Sequence, residues 1–435
     1  MPPKDVPVRL SSVAILAIIF PGITVTEKRF FQTGARYVRR IDLKKAQTAG
    51  LATIRDINRQ IVLNYVRERE PISRAAIARE SALQRSTVSA IVDSLQTDGL
   101  VEEIGEGEST GGRRPTLLRL RTAGAIAIGV SVTPSLTTIA TSDLAGRVLS
   151  QQAFRTDPDA DQTFGRVIDG IKTLLHQQDG SIEAIGVSLP GLIDPSTGIA
   201  IYVPYFKWRE LPVARMLSSV TGLPVTIDND ANAVALAELW FGRPEVSDAR
   251  DFILVLAAEG VGTGIVFDGQ VYRGERGAAG EFGHMIIGTH APVPCSCGNL
   301  DCWEAFSSER ATLARYQKLT RAGAESRVDF KELVDRALGG ESEARTALVD
   351  MALCLGIGIS NLVVGFSPEV VVVGGEIARA WPLVEEALKQ TIEHSVRRGL
   401  PSARILPSTL GNDPTLMGAL SLVLASKFAA SAFAA

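Results

Sequence analysis

The sequence predicts an α/β protein with an N-terminal winged helix-turn-helix followed by a larger body of two lobes. Near residue 54 a helical segment begins, and two short helical segments joined by a tight turn follow it. Two strand-like segments then flank a glycine-rich tip, as in a β-hairpin wing. The rest alternates strands with helices in two similar rounds. A chain of 435 residues is long enough for two or three domains.

The composition is typical of a globular protein and excludes a disulfide-rich one. Hydrophobic residues make up 46% and charged residues 21%, as in globular proteins. Four cysteines give no disulfide framework, which favours a reducing compartment, and we expect the cytoplasm. Residues 1–120 contain 19 Lys+Arg and 13 Asp+Glu, a balance of +6, so the remainder carries −9 of the net −3. A basic front suits a polyanion partner, although a chance distribution of surface charge is the alternative.

The first fifty residues contain an apolar run at 12–20. This run is too short to span a bilayer, and no clear cleavage site follows it. We expect residues 1–50 to form a poorly ordered extension, with a membrane anchor as the alternative, and we expect no membrane partner.

Residues 51–121 are predicted to form the winged helix-turn-helix. Ile54, Ile57, Ile61 and Tyr65 share one face of the first helix. Ser73 can cap a second helix, from Arg74 to Glu80, and a turn at 81–83 leads to a third helix from about Arg85 to Thr97. The predicted core consists of Ile77, Leu83, Val88, Ile91, Val92 and Leu95.

The exposed start of the third helix carries side chains that read base edges and phosphates in a major groove. They are Gln84, Arg85, Ser86, Thr87 and Ser89. The wing joins strands at 100–104 and 116–120, and its Arg113 and Arg114 follow two glycines and can enter a minor groove. We therefore expect a double-stranded DNA operator as partner. The alternative is a winged helix that binds protein or only packs.

Residues 122–435 are predicted to form the two lobes. The first round has strands at 125–132, 137–142, 148–153 and 183–188 and a helix at 162–177; the second has strands at 252–257, 263–267 and 369–373, a long helix at 345–364 and a last helix from about 414. Two similar halves indicate a cleft between them. The loop Leu189-Pro190-Gly191 follows a strand, where ligands often bind in α/β sheets.

A cysteine cluster predicts a metal site. Cys295, Cys297 and Cys302 lie within eight residues, and His284 lies eleven residues before the first of them. Three thiolates and an imidazole are the ligand set of a structural zinc ion. The alternative is three buried thiols, but hydrophobic cores do not group cysteines in a loop that contains glycine and is flanked by proline.

The chain resembles the ROK family (repressors, open reading frames, kinases). The resemblance rests on the winged helix with Gly112-Arg113-Arg114-Pro115, the Leu-Pro-Gly loop, Asp228-Asn229-Asp230-Ala231-Asn232, Glu281-x-x-His284, and Cys-x-Cys-Gly-x3-Cys-x-Glu. It implies an actin-like, ribonuclease H-type fold with a sugar in the cleft, and a winged helix in the repressor branch.

The resemblance also implies site residues. Zinc would be held by His284, Cys295, Cys297 and Cys302, and it would brace the loop bearing Glu304. Sugar hydroxyls would be bound by Asn229, Asp230, Glu281, His284 and Glu304. The aspartate that matches Asp230 is the general base in kinase members. We expect Asp230 to be ionised, helped by the dipole of the helix that it begins. The alternative is that Asn229 and Asp230 only cap that helix.

Departures from the family pattern argue against a kinase. Kinases of the family carry Asp-x-Gly-Gly-Thr in the first phosphate loop, where this chain has Ser131-Val-Thr-Pro-Ser135. Pro134 offers no N–H to a phosphate, and Glu259 adds negative charge to the second glycine-rich loop. We therefore expect no ATP and no enzyme. Tyr205 stands where family members usually have an asparagine, which leaves one sugar contact open.

The resulting prediction is a sugar-responsive DNA-binding regulator, a repressor, acting as a homodimer or higher homo-oligomer on a two-fold operator. The first alternative is a sugar kinase fused to a DNA-binding domain, with Asp230 as catalytic base. The second alternative is a regulator that responds to a protein partner instead of a sugar.

Overall fold

The computed structural model describes residues 51–107, 114–121, 125–177, 181–320, 328–396 and 399–428. The chain divides into a unit of residues 1–51 and a unit of residues 52–435. All elements below belong to the second unit, apart from the first residue of the first helix. The predicted extension 1–50 lies outside the described residues, as do the tip of the wing with Arg113 and the apolar run at 12–20.

The first part of the described chain has the order of a winged helix-turn-helix. Its elements are α1 (Leu51–Arg69), β1 (Ile72–Ser73), α2 (Arg74–Ser81), α3 (Arg85–Thr97), β2 (Val101–Glu106) and β3 (Thr116–Leu120). The strands form a sheet of order β1-β3-β2. Ser73 caps α2 as predicted, because its hydroxyl accepts a hydrogen bond from the Ala76 N–H at 3.2 Å. Ala82 ends α2 in the left-handed region (φ 58°), where a glycine would be less strained.

The buried face of α1 differs from the predicted one. Ile54 is 45% exposed, whereas Val62, Leu63 and Val66 are buried. The reason is that α1 packs against two surfaces, the helix-turn-helix core and the last helix of the chain, which share one apolar cluster. A single stripe at helical spacing predicts only one such contact. In the predicted core of the domain, Leu83 and Ile91 are only partly buried.

The first lobe is built on a five-stranded sheet of order β11-β7-β4-β5-β6. Its elements are β4 (Ala125–Val132), β5 (Leu136–Ser142), β6 (Val148–Arg155), α4 (Ala160–Gln177), β7 (Ser181–Leu189), β8 (Leu192–Asp194), β9 (Ile199–Val203), β10 (Trp208–Leu211), α5 (Val213–Thr221) and β11 (Val225–Asn229). β4, β5 and β6 run antiparallel in sequence, while β7 and β11 extend the sheet in parallel with β4. β8, β9 and β10 form a small separate sheet that the sequence analysis missed.

The second lobe repeats this pattern. Its elements are α6 (Asp230–Phe241), α7 (Pro244–Ser247), β12 (Phe252–Ala257), β13 (Val261–Phe267), β14 (Gln270–Val271), α8 (Trp303–Ser307), α9 (Glu309–Thr320), α10 (Phe330–Leu338), α11 (Ser342–Phe366), β15 (Val370–Gly374), α12 (Trp381–Ser395), β16 (Arg404–Pro407) and α13 (Pro414–Phe428). Its sheet has the order β14-β13-β12-β15-β16. β12 to β14 are antiparallel, and β15 and β16 are parallel to β12. The same order of strands therefore occurs twice, which confirms the predicted pair of similar lobes.

Helices α6 and α13 pack between the two sheets. α6 contacts β12 and β13 of the second lobe, and α13 contacts β4 and β7 of the first. The contacts are close: a Cβ on Gly186 of β7 would lie 2.0 Å from the Ala419 carbonyl oxygen of α13. A change in the angle between the lobes must therefore move these two helices.

Helix α1 of the winged domain rests on the far ends of α6 and α13. The Arg67 guanidinium donates to the Trp240 carbonyl oxygen at 3.1 Å and lies 4.7 Å from the Trp240 ring centroid and 5.1 Å from that of Phe428. Asn64 donates to the Phe428 carbonyl oxygen at 3.0 Å. Burial lowers the pKa of Arg67, although its charge persists. The winged domain is thus packed directly onto the two central helices.

Among the described residues one helix, α11, is long and apolar enough to cross a membrane by composition. Of its most apolar window, 61% is buried, which is typical of a core helix. It packs in the core of the second lobe with Trp303, whose indole N–H donates to the Cys354 carbonyl oxygen at 3.0 Å. α11 therefore fixes the start of α8, directly after the cysteine cluster.

We expect Gly358→Ala to destabilise the protein by about 1–3 kcal/mol, since overpacking of a core costs about that much. A Cβ at this position in α11 would lie 2.0 Å from the Trp303 ring. Gly365→Ala in the same helix is the control, because a Cβ there meets nothing within 4 Å. Urea unfolding checks both: the control should be neutral or more stable, and equal stability of the two variants would contradict the packing.

Candidate functional site

A cavity of about 450 Å³ lies between the lobes. All five predicted sugar-binding residues line it: Asn229, Asp230, Glu281, His284 and Glu304. The first lobe contributes the end of β11 and the loop at Gly191, and the second contributes the loop before β13 and the segment from Glu281 to Glu304. The five predicted residues, which are up to 75 positions apart in sequence, thus meet in one cleft.

Asn229 is used to hold the backbone in place. Its side-chain oxygen accepts from the N–H groups of Ala231 (2.9 Å) and Asn232 (3.2 Å), which caps α6. Its amide nitrogen donates to the Gly191 carbonyl oxygen at 3.0 Å. The helix-cap interpretation therefore describes its present bonds, and its contact with a sugar stays a prediction.

Asp230 lies at the N-terminus of α6, and its carboxylate accepts from the Ala231 N–H at 2.8 Å. Burial, opposed by this bond and reinforced by the charges of Glu281 and Glu304, raises its pKa to about 7. Near neutral pH the Asp230 carboxyl is then only partly ionised, in contrast to the expected ionised carboxylate. The helix dipole and one N–H bond do not offset the loss of water and two neighbouring carboxylates.

Glu304 is buried and held by several donors. One oxygen accepts from the Ser296 hydroxyl (2.8 Å), the Ser296 N–H (3.2 Å) and the Arg310 guanidinium (3.3 Å). The other oxygen faces Gly260, where an added Cβ would lie 2.6 Å from it. One side of the carboxylate is thus fixed, and the other faces the second glycine-rich loop.

His284 lies between the cleft and the cysteine cluster. Its Nε2 is 3.5 Å from a Glu281 carboxylate oxygen, and its Nδ1 is 3.3 Å from the Cys295 Sγ. The ring can therefore serve a metal with one nitrogen and the cleft with the other, which is the shared role predicted for it.

The four predicted metal ligands come together. The ligand atoms of His284, Cys295, Cys297 and Cys302 all lie within 4.8 Å of one another, and the four cysteines of the chain are free thiols. The loop is closed by the backbone, since the Trp303 N–H donates to the Met285 carbonyl oxygen at 2.6 Å. Burial raises the pKa values of the Cys295 and Cys302 thiols. A bound cation would reverse this by stabilising thiolates, so the donor set fits a thiophilic metal.

The sequence did not indicate that Ser296 and Arg310 contact Glu304. It also did not indicate that Tyr205 lies near the same carboxylate. The Tyr205 hydroxyl is buried in the cleft wall near the Ser296 side chain but makes no well-aligned hydrogen bond to the described residues, and burial raises its pKa. It would lie 2.6 Å from a Cβ on Gly260, and its ring is 5.7 Å from the Arg310 guanidinium. The departure at Tyr205 was visible in the sequence, whereas nothing in the sequence marks Arg310.

The other end of the cleft holds the two altered phosphate loops. The Glu259 carboxylate accepts from both the N–H (3.1 Å) and the hydroxyl (2.7 Å) of Ser135, which joins the two lobes. The Arg310 guanidinium donates to the Glu259 carbonyl oxygen at 3.2 Å. A side chain of the protein therefore occupies the donors of the first loop.

The candidate DNA-binding residues lie at the start of α3 and on the wing. Gln84, Arg85, Ser86 and Arg114 are exposed, while Thr87 and Ser89 are partly buried. Gln84 makes no side-chain cap for α3, which leaves its amide available. Arg85 has no ion-pair partner within the described part of the chain. The contact of these residues with DNA stays a prediction, and Arg113 lies outside the described residues.

A duplicated five-stranded lobe, a carboxylate-lined cleft and a winged helix define a class: proteins with a sugar-kinase type of fold and a fused helix-turn-helix domain. The ROK family model matches residues 125–426, and the MarR family model matches residues 61–114. The chain belongs to the ROK family. The predicted family and fold are confirmed.

Relatives and solved structures agree on this architecture. The xylose repressor of Caldicellulosiruptor bescii is 33% identical over 386 residues, 85% of this chain and 96% of the relative. The N-acetylglucosamine repressor of Escherichia coli O6:H1 is 29% identical over 375 residues, 83% of this chain and 91% of the relative. The crystal structure of a ROK family transcriptional regulator, a homologue of the E. coli MLC protein, has 26% identity and a TM-score of 0.71 over 86% of this chain and 97% of its own.

A ROK family glucokinase from Streptomyces griseus, solved with glucose and AMPPNP, has 27% identity and a TM-score of 0.62 over 68% of this chain and 99% of its own. The kinase therefore matches the lobes without the winged domain. The relatives that match along both domains are named repressors, which supports the predicted non-enzymatic role.

We expect the purified protein to contain about one zinc ion per chain, as a site with four such ligands does. Cys302→Ser should abolish retention of the metal and lower the unfolding temperature, because the loop bearing Glu304 loses its brace. Cys354→Ser is the control, since Cys354 lies on α11 outside the cluster. Elemental analysis with thermal unfolding checks this, and a Cys302→Ser protein that keeps its metal would contradict the ligand set.

Proposed function

We propose that the protein is a cytoplasmic transcriptional repressor that binds an operator through its winged helix and changes its affinity for DNA when a sugar enters the cleft. The observation that carries this proposal is helix α6. Its N-terminus holds Asn229 and Asp230 in the cleft, and its C-terminus holds Trp240 against Arg67 of the winged domain. One rigid element thus joins the candidate sensor to the candidate output.

The proposed mechanism uses the two lobes as a two-state element. A sugar that bonds to Asn229 on the first lobe and to Glu281 and Glu304 on the second favours a closed arrangement. Closure moves α6 and α13, which lie between the sheets, and therefore moves α1, which rests on their ends. The sugar must bind one arrangement more tightly than the other, by about 1–3 kcal/mol for a typical coupling.

Zinc is the metal that we propose for the cysteine cluster, because tetrahedral Cys₃His sets are typical of structural zinc sites. When bound, it would fix the loop from Cys295 to Cys302 and thereby the start of α8, which carries Glu304. His284 would keep its second nitrogen for the cleft. Ser296 and Arg310 orient one carboxylate oxygen of Glu304 and leave the other oxygen for a sugar hydroxyl.

The proposal of DNA binding depends on where the exposed arginines of the winged domain lie. Residues 51–120 contain 10 Lys+Arg and 10 Asp+Glu, so the domain has no overall basic excess. Several arginines are neutralised by ion pairs, as Arg59 is by Asp98 and Arg119 by Glu102. Arg85 at the start of α3 and Arg114 on the wing are exposed, and they support a site facing the phosphates. A dimer on a two-fold operator fits this geometry.

The direct experiment has two steps. Random DNA duplexes are selected on the full-length protein, and the selected duplex is then titrated by fluorescence anisotropy with and without D-xylose, D-glucose or N-acetyl-D-glucosamine. A repressor of the proposed kind loses at least about fivefold in DNA affinity with one sugar. Turnover of ATP with these sugars would support the alternative of a fused sugar kinase, and DNA binding that no sugar changes would support control by a protein partner.

We expect the double variant Arg85→Ala with Arg114→Ala to bind the selected duplex more weakly, with a salt-dependence slope reduced by about 1 for each lost phosphate contact. Arg119→Ala is the control, because Arg119 already pairs with Glu102. Unchanged affinity and slope in the double variant would contradict the assigned DNA-binding face.

We expect Tyr205→Phe to weaken sugar binding about three- to tenfold, since a neutral hydrogen bond contributes about that much. Its hydroxyl makes no well-aligned hydrogen bond to the described residues, so the free energy of unfolding should change little. Tyr316→Phe is the control: its hydroxyl bonds to Glu341 (2.5 Å) and Arg336 (2.9 Å), so stability should fall while sugar affinity stays. Calorimetry and urea unfolding measure the two effects, and unchanged sugar affinity in Tyr205→Phe would argue against a contact.

A further inference from the structure

The cleft between the lobes is strongly acidic. Eight of its lining residues are Asp or Glu, and one is a lysine, Lys331. Three of the carboxylates are the candidate hydroxyl acceptors Asp230, Glu281 and Glu304. The others line the opposite end, around the two altered phosphate loops. A carboxylate attracts a hydroxyl donor but repels a phosphate, so both ends of the cleft disfavour an anionic ligand.

Two donors of the first phosphate loop that could bind an anion at the opposite end are already used. The N–H and the hydroxyl of Ser135, in the first loop, both donate to the Glu259 carboxylate of the second lobe. Glu259 therefore occupies, from within the chain, two donors that a phosphate group at this loop would use. A phosphate there would have to displace this carboxylate and remain close to it.

The surroundings of Glu259 add to the repulsion. Glu309 lies in the same wall, and burial together with the charges of Glu259, Glu376 and Asp329 raises its pKa to about 8. The raised pKa reflects the negative charge that Glu259, Glu376 and Asp329 bring together at this end, and an anionic ligand would add to that charge. Arg310 does not relieve it, because its guanidinium is engaged with Glu304 and with the Glu259 backbone.

We propose that the effector of this cleft is an uncharged, unphosphorylated sugar, and that Glu259, bonded to Ser135, is the residue that excludes a sugar phosphate. The inference rests on the proposed function and names the ligand class of the same site. The carboxylates at the sugar end accept hydroxyl hydrogens from a neutral sugar, while Glu259 closes the phosphate end and links the lobes in the absence of a nucleotide.

The test compares each neutral sugar with its own phosphate. D-xylose, D-glucose and N-acetyl-D-glucosamine, and the monophosphate of each at the terminal hydroxyl, are titrated calorimetrically into full-length protein in buffer without divalent cations. We expect at least one neutral sugar to bind and its phosphate to bind at least about tenfold more weakly, as a close like charge implies.

Glu259→Gln keeps an oxygen that can accept from Ser135 but removes the charge. We expect it to improve binding of the sugar phosphate about tenfold and to change binding of the neutral sugar by less than about twofold. Glu386→Gln is the matched control, since it removes one negative charge from an exposed position on α12 of the same lobe; it should change neither affinity.

The outcomes separate the two proposals. A phosphorylated sugar that binds the wild-type protein as tightly as its parent sugar overturns this inference and leaves the proposed function standing. A preference for neutral sugars that Glu259→Gln does not reduce overturns the role given to Glu259. If no sugar of either kind binds while the selected DNA duplex does, the proposed sugar response itself fails.

Discussion

The packing of helix α6 between the two sheets is the constraint on which the remaining structure depends. Asn229 caps this helix and also ties it to the Leu-Pro-Gly loop through the Gly191 carbonyl oxygen. Along its length α6 contacts the second sheet and α13, and at its end Trp240 receives Arg67 of the winged domain. Because the contacts are dense, the helix cannot move without shifting both the cleft and the winged domain. Rigid packing along α6 can therefore couple the cleft to the winged domain.

The cysteine cluster serves the same cleft from the other side. Its ligand atoms converge only because β13, the segment at Glu281–His284 and α8 fold together around Trp303. His284 joins the cluster to Glu281, and Ser296, within the cysteine loop, holds Glu304. The loop therefore does more than stabilise the fold, since its position sets the orientation of a carboxylate in the cleft. A substitution in the loop should therefore disturb the position of Glu304 in the cleft more than it disturbs the two sheets.

Strong local patterns made much of the fold predictable. The ends of α3, β3, β4 and β12 agree with the sequence prediction, because apolar runs and clear turn signals delimit them. The small sheet β8-β9-β10 was missed, because strands of three to five residues carry little periodic signal. The buried face of α1 was misassigned for a different reason. Its apolar residues pack against both the helix-turn-helix core and the last helix of the chain, and the last helix lies more than 350 residues away in sequence.

The sequence by itself determined the family, the two-domain order and the identity of the groups in the cleft, since linked motifs specify chemistry by residue type and spacing. Only the tertiary structure decided how those groups are bonded. It gave Asn229 a capping role, raised the pKa of Asp230 by burial beside two carboxylates, and bonded Glu259 to Ser135 across the lobes. The physical reason is that hydrogen bonding and desolvation depend on neighbours distant in sequence. A motif names the side chain but not its surroundings.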